Sequence, residues 1–169
     1  MDRQTWTNAA LGLFLLLLIF SAIHDWREPE KIKPQHLLIT QDEEIRSIKI
    51  IRQSEKIIWF EKQGQHWFLK SGSIDEPENH LADQQKIDQM LGFLETEVFK
   101  KFKVPTQELI KFELDKPRIA VLFNQTKISF GSVNRLTRHR YINIDSAIYT
   151  VSNAFYPYFI AAEEDYMVK

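Results

Sequence analysis

The first pattern along the chain is an apolar block. From Ala9 to Ile23 it reads AALGLFLLLLIFSAI, without a charge, and Trp6 and Trp26 bracket it. About 20 helical residues rise about 30 Å, one hydrocarbon thickness, and tryptophans at both edges suit the interfacial belts. Each Leu, Ile or Phe in the block favours insertion by about 0.3–0.6 kcal/mol, and together these outweigh Gly12 and Ser21. Two other origins compete with this one. A cleaved signal peptide wants a basic start and small residues at an A-x-A-like site, whereas Arg3 is offset by Asp2 and Phe20 precedes Ser21-Ala22. A core helix apolar on every face needs a larger protein around it. The pattern therefore predicts an N-terminal tail over 1–5 and a single transmembrane helix over 6–23, seated in the lipid bilayer.

Residues 24–44 are charged and carry Pro29 and Pro34. They read as a tether, with a reach of roughly 25 Å as a flexible coil. From 45 to 169 the pattern changes to that of a soluble α+β domain. EIRSIKIIR, KIIWFEKQ and HWFLKS alternate as strands, in which Ile48 shares a face with Ile50, Ile57 with Trp59, and Trp67 with Leu69. Gln63-Gly64 reads as a hairpin turn, and IDEPEN as an acidic loop. Asp83 is placed to cap a helix whose stripe is Ile87, Met90, Leu91, Leu94 and Val98. After Val104-Pro105, Thr106 is a candidate cap for a second helix, QELIKF. Four further strands follow, PRIAVLFN, TKISFGSV, RHRYINID and AIYTVSN, with turns at Asn124-Gln125 and Asp145-Ser146. AFYPYFIAA reads as a short helix capped by Asn153, with Pro157 in its first turn. The predicted order is β-β-β-α-α-β-β-β-β-α, an antiparallel sheet rather than a doubly wound one.

Composition narrows the function classes. A formal net charge of -1 gives no footprint for nucleic acid. Cysteine is absent, which removes disulfides, thiolate zinc sites and a thiol nucleophile. His24, His36, His66, His80 and His139 fall at no metal-ligand spacing, and no P-loop, G-x-S-x-G elbow or dinucleotide fingerprint is present. The expectation is therefore no metal, no cofactor and no catalytic residue, hence not an enzyme. Asp75, Glu76 and Glu78 read as a solvated acidic loop. Arg135, Arg138, His139 and Arg140 form the densest basic run; Arg135, Arg138 and Arg140 are the candidate partner contact, because arginine forks suit carboxylate and phosphate. The alternative is an exposed polar hairpin. The aromatic end, Phe155, Tyr156, Tyr158, Phe159 and Tyr166, suits packing onto the sheet or docking on a membrane partner.

Several runs carry a family resemblance. W-F-L (Trp67 to Leu69), L-A-D-Q-Q-K-I-D-Q-M-L (Leu81 to Leu91), Val104-Pro105, E-L-I-K-F-E-L-D-K-P (Glu108 to Pro117), I-S-F-G (Ile128 to Gly131) and R-Y-I-N-I-D-S-A-I-Y-T-V (Arg140 to Val151) occur in the order expected of the bacterial DUF4340 family, which the chain from about residue 45 resembles. Glu113 departs from it, standing where the family segment usually carries Gly, and no clear proline follows soon after Trp67 to Leu69. The resemblance implies structural roles for Trp67, Asp83, Leu114, Asp115, Pro117, Gly131 and Tyr141 as core, cap and turn residues, and no catalytic residue. It also implies a single-pass protein of the bacterial inner membrane with its C-terminal domain extracytoplasmic, often beside ABC-type transport or gliding-motility auxiliary components. The local charges are a weak guide to topology: Arg27, Lys31 and Lys33 after the span slightly favour the opposite orientation.

Three functions remain open on the sequence. The first is an accessory protein holding a membrane partner, such as an ABC-type permease or an auxiliary component. The second is an envelope ligand module for glycan or cell wall, and the third is an unrecognised enzyme. The anchor itself is testable. Alkaline carbonate extraction is expected to leave the full-length chain in the membrane pellet; release of a form starting near Ile23 would make residues 6–23 a signal peptide.

Overall fold

The computed structural model describes residues 35–37, 44–53, 57–72 and 77–168. The expected span 6–23 lies outside them, as does most of the expected tether. Among the described residues no helix is long and apolar enough to cross a membrane.

Ten strands form one sheet: β1 Gln35–His36, β2 Ser47–Arg52, β3 Ile58–Gln63, β4 His66–Gly72, β5 Pro77–Leu81, β6 Glu97–Phe102, β7 Ile119–Phe123, β8 Thr126–Val133, β9 Arg140–Ile144 and β10 Ala147–Val151. Their order across the sheet is β1-β6-β10-β9-β8-β7-β2-β3-β4-β5, and every pair is antiparallel. With helices α1 Gln84–Leu91 and α2 Pro157–Ile160, the domain is α+β.

Alternation decides which face is buried. Ile58, Ile50, Val121, Ile128 and Ile144 stand opposite one another from β3 to β9, and Leu69, Phe60, Ile48 and Phe123 form a parallel row. All of these are buried. The cover over this face is largely aromatic. Asp83 starts α1 by accepting hydrogen bonds from the Gln85 and Lys86 amides at 2.9 and 3.4 Å, which turns Ile87 and Met90 inward. Phe93 follows in a 3-10 turn, with its ring 5.3 Å from Phe130 and 5.6 Å from Phe159. Phe159 in turn lies 5.2 Å from Phe130.

The chain end closes the remaining area. The Tyr166 ring meets Phe60 edge-on at 5.2 Å, and its hydroxyl donates to the Tyr158 carbonyl at 2.7 Å; burial pushes the phenol up to about 12. Arg52, at the end of β2, donates to the carbonyls of Phe159 and Ala161 and so holds the end of α2. The aromatic C-terminus is thus packed onto the sheet.

The opposite face is covered over β6, β8 and β9 by a 3-10 segment, Thr106–Phe112. Phe112 packs at 4.8 Å from Tyr141 and 5.7 Å from Phe102. This segment passes so near β8 that a Cβ on Gly131 would stand 2.2 Å from the Phe112 carbonyl and 2.9 Å from Leu114 Cγ. Only glycine permits that approach.

Several expectations need correction. Seven strands were expected, and the described residues form ten. β1 falls in the expected tether, where Gln35 and His36 pair with β6 and Leu37 is buried. β5 takes up part of the expected acidic loop, pairing with β4. β6 starts where the helical stripe was carried on to Val98. That residue pairs with Val151 instead, because α1 gives way to a 3-10 turn at Gly92–Glu95.

The QELIKF helix is the 3-10 segment, entered at Pro105 without a side-chain cap from Thr106. The last helix is split into a 3-10 turn, Asn153–Phe155, and α2, and its first cap is Ser152, which accepts from the Ala154 amide at 3.2 Å. The first hairpin turn is Gly64-Gln65, one residue later than expected, with Gly64 at φ 61°. The turns at Asn124-Gln125 and Asp145-Ser146 form as read, each led by a left-handed residue at φ 52° and 54°. The Asn124 side chain accepts from the Arg46 and Ser47 amides and donates to the Glu44 carbonyl, tying the start of β2 to this turn.

The 3-10 segment ends on Glu113 at φ 57°. A side chain there costs roughly 1–2 kcal/mol relative to glycine, which gives a physical reason for glycine at this point of the family pattern. Two opposite outcomes follow for chemical denaturation of residues 34–169. Glu113→Gly is expected to raise stability by about 1 kcal/mol. Gly131→Ala is expected to lower it by at least about 1–3 kcal/mol, the usual cost of overpacking. Trp67, 2% exposed, is expected to cost about 3–5 kcal/mol on truncation to alanine.

Candidate anion-binding cleft

The ends of β7, β8 and β9 meet at an irregularity in β8. Phe130 pairs with Ile142, but the next pair is Val133 with Arg140, so one extra residue lies on the β8 side. Such a bulge bends its strand and re-aims the neighbouring side chains. Beyond it the chain turns through residues 134–139 under the control of Asn134. The Asn134 carboxamide oxygen accepts from the Leu136 and Thr137 amides at 2.9 and 3.2 Å, and its nitrogen donates to the Tyr141 hydroxyl at 2.7 Å. Arg138 takes a left-handed conformation at φ 63°, and the Asn134 amide donates to the His139 carbonyl, returning the chain to β9.

This geometry opens a cleft of about 400 Å³, floored by Phe130 and Gly131 and lined by Glu113, Arg118, Ser132, Arg135, Arg140 and Tyr156. Each polar wall comes from a different element. Arg118 immediately precedes β7, held by its carbonyl, which accepts from the Gln53 amide at 3.1 Å. Arg135 lies in the turn after β8, Arg140 opens β9, and Glu113 ends the 3-10 segment on the opposite face.

The three arginines are not equivalent. Arg140 donates to Asn153 Oδ1 at 2.7 Å and to the Gly131 carbonyl, with its guanidinium 3.4 Å above the Tyr156 ring. It is half-buried and clamps β8, β9 and the C-terminal segment together. Burial lowers its pKa, while Tyr156 and Glu113 oppose the shift. Arginine keeps its charge in such a setting. Arg118 and Arg135 are exposed, and among the described residues neither guanidinium has a hydrogen-bond or salt-bridge partner.

The candidate contact read from the sequence therefore divides. Arg135 and Arg140 line the cleft, whereas Arg138 is exposed on the turn and is not part of the lining. His139 stacks on Phe99 with 3.6 Å between ring centres. Arg118 was not foreseen, for it is remote from the basic run and only the fold brings it there. Its one sequence signal is its place as a basic residue just ahead of a strand.

The residues expected to be structural also separate by position. Trp67 is in the core, Asp83 caps α1, Asp115 is exposed and Pro117 half-buried on the approach to β7, and Gly131 forms part of the cleft floor. Arg52, which holds the end of α2, was also not foreseen.

The Ser132 hydroxyl donates to the Phe112 carbonyl at 3.3 Å, and no histidine lines the cleft. Of the acidic run, Asp75 and Glu76 lie outside the described residues, and Glu78 sits 3.4 Å from His80 on β5. Among the described residues no group of three or more His, Asp or Glu side chains is placed to hold a metal ion.

Comparison with known proteins places this architecture in a family. The family described as Domain of unknown function (DUF4340) matches residues 67–169, from β4 to the chain end, a span that includes every residue of the cleft. No curated protein and no solved structure matches the chain. Since the matched span is more than half of the sequence, the chain belongs to the DUF4340 family.

Proposed function

We propose that this protein is a non-catalytic, membrane-anchored accessory module whose extracytoplasmic domain grips an anionic group of a membrane partner in the cleft between β7, β8 and β9. The observation that carries the reading is the pair of unengaged guanidinium groups, Arg118 and Arg135, lining one cleft with Arg140. A guanidinium fork presents parallel N–H donors that match a carboxylate or phosphate, and the charge assistance makes such bonds about twice as strong as neutral ones. Arg140 serves a different purpose: with its hydrogen bonds taken up by Asn153 and Gly131, it keeps the cleft walls in place and adds field.

The anchor rests on the apolar block at residues 6–23, and the orientation on the family resemblance. An ABC-type permease or auxiliary component is the partner class that this resemblance implies. Confinement near the bilayer raises the effective concentration of domain and partner, so a contact of modest intrinsic strength suffices. A second reading, an envelope ligand module, draws support from the cleft volume, which falls within the size range of small-molecule sites, about 300–1,000 Å³.

The discriminating experiment is co-purification in mild detergent of the full-length chain and of the Arg118→Ala/Arg135→Ala variant. The wild type is expected to retain a membrane transport component and the variant to lose most of it, with an unchanged melting temperature because neither guanidinium has a hydrogen-bond or salt-bridge partner among the described residues. Equal retention by both proteins would remove the cleft from the contact. Wild-type chain that brings down no membrane protein and hydrolyses an envelope substrate would overturn the accessory role.

A further inference from the structure

The cleft's charge count is more specific than a general affinity for anions. Arg118, Arg135 and Arg140 supply three positive charges, and Glu113 supplies the single carboxylate in the lining. Glu113 is held in place by its backbone, whose amide donates to the Ile110 carbonyl at 3.1 Å from a left-handed conformation. Its charge lies close enough to Arg140 to be felt there. The cleft without ligand thus carries its own counter-anion and retains a net charge of two.

We propose that the cleft selects a dianionic oxyanion group, a phosphate monoester or two carboxylates on one ligand, and that Glu113 sets this charge threshold. The inference rests on the anion-binding reading above and narrows it to a chemical class. A monoanion entering beside Glu113 meets one negative neighbour and leaves a guanidinium without a counter-charge. A dianion satisfies both unengaged forks, one from the β7 side at Arg118 and one from the turn after β8 at Arg135. A phosphate monoester also offers three acceptor oxygens, enough to engage both forks together. The Tyr156 ring is already covered on one face by Arg140, so recognition falls on charge and hydrogen bonds rather than on stacking.

Two substitutions separate the parts played by charge. Removing Arg118 or Arg135 takes away a fork. Glu113→Gln keeps size and polarity while deleting the internal counter-anion, which opens the cleft to monoanions. Neither outcome is expected of residues that only support the fold.

The test is isothermal titration of the full-length chain in detergent, at constant ionic strength, with four probes. Glycerol phosphate and succinate are the dianions, and their separate affinities distinguish phosphoryl from carboxylate sources. Dimethyl phosphate and acetate are the monoanions. The dianion of the favoured source is expected to bind about tenfold or more tightly than its monoanion, the effect of one extra charge-assisted contact. Arg118→Ala and Arg135→Ala are each expected to weaken it about tenfold on the same grounds. Glu113→Gln is expected to tighten monoanion binding and shrink the preference. Dianions and monoanions that bind equally, with both arginine variants still weakened, would overturn the charge threshold and leave the anion cleft standing. No binding of any probe, together with unchanged partner retention in the arginine variants, would overturn both.

Discussion

Ile48, Ile50, Phe60, Val121, Phe123 and Ile128 line up across neighbouring strands, and keeping that face from water is the constraint on which the rest of the structure depends. Each such side chain contributes about 1.5–3 kcal/mol when fully buried, so leaving the face open would forfeit much of the domain's stability. The cover is assembled from distant parts of the chain: α1 and Phe93 from the middle, Phe159 and Tyr166 from the end. Edge-to-face contacts from Phe93 and Tyr166 to their neighbours lock the two parts onto one sheet. Arg52 reinforces this by reaching from β2 to the carbonyls at the end of α2.

The cleft is a by-product of covering the other face. Gly131 lets the 3-10 segment pass against β8, and the bulge beside it absorbs one residue. The same passage leaves Glu113 left-handed at the rim. Arg140 then spans the bulge, bonding Asn153 and Gly131 with its guanidinium over the Tyr156 ring. A packing solution on one face and a strand irregularity together produce a polar recess lined by the exposed side chains of Arg118 and Arg135. The arginines of the recess differ in their engagement: Arg140 is bonded within the fold, whereas Arg118 and Arg135 have no hydrogen-bond or salt-bridge partner among the described residues.

What the sequence determined by itself was whatever local patterning encodes. The alternation of Ile48 with Ile50, the cap at Asp83 and the turns at Asn124 and Asp145 each depend on residues within a few positions, and they could be read directly. The apolar block at 6–23 and the missing cysteines are of the same kind. Ordered runs such as Leu81 to Leu91 and Arg140 to Val151 were enough to suggest the family.

Only the tertiary structure decided the elements whose partners are remote in the chain. β1, β5 and β6 carry little hydrophobic alternation of their own and become strands because β6, β4 and β10 offer them paired backbone edges. Helical periodicity extended to Val98 in the sequence, but pairing with Val151 prevailed over it. The basic run at 135–140 pointed toward the cleft without revealing that Arg138 is not part of its lining, that Arg140 is a clamp, or that Arg118 joins from the approach to β7. Those distinctions follow from a one-residue bulge and a backbone contact at Gly131, and both arise from long-range packing that neither composition nor spacing records.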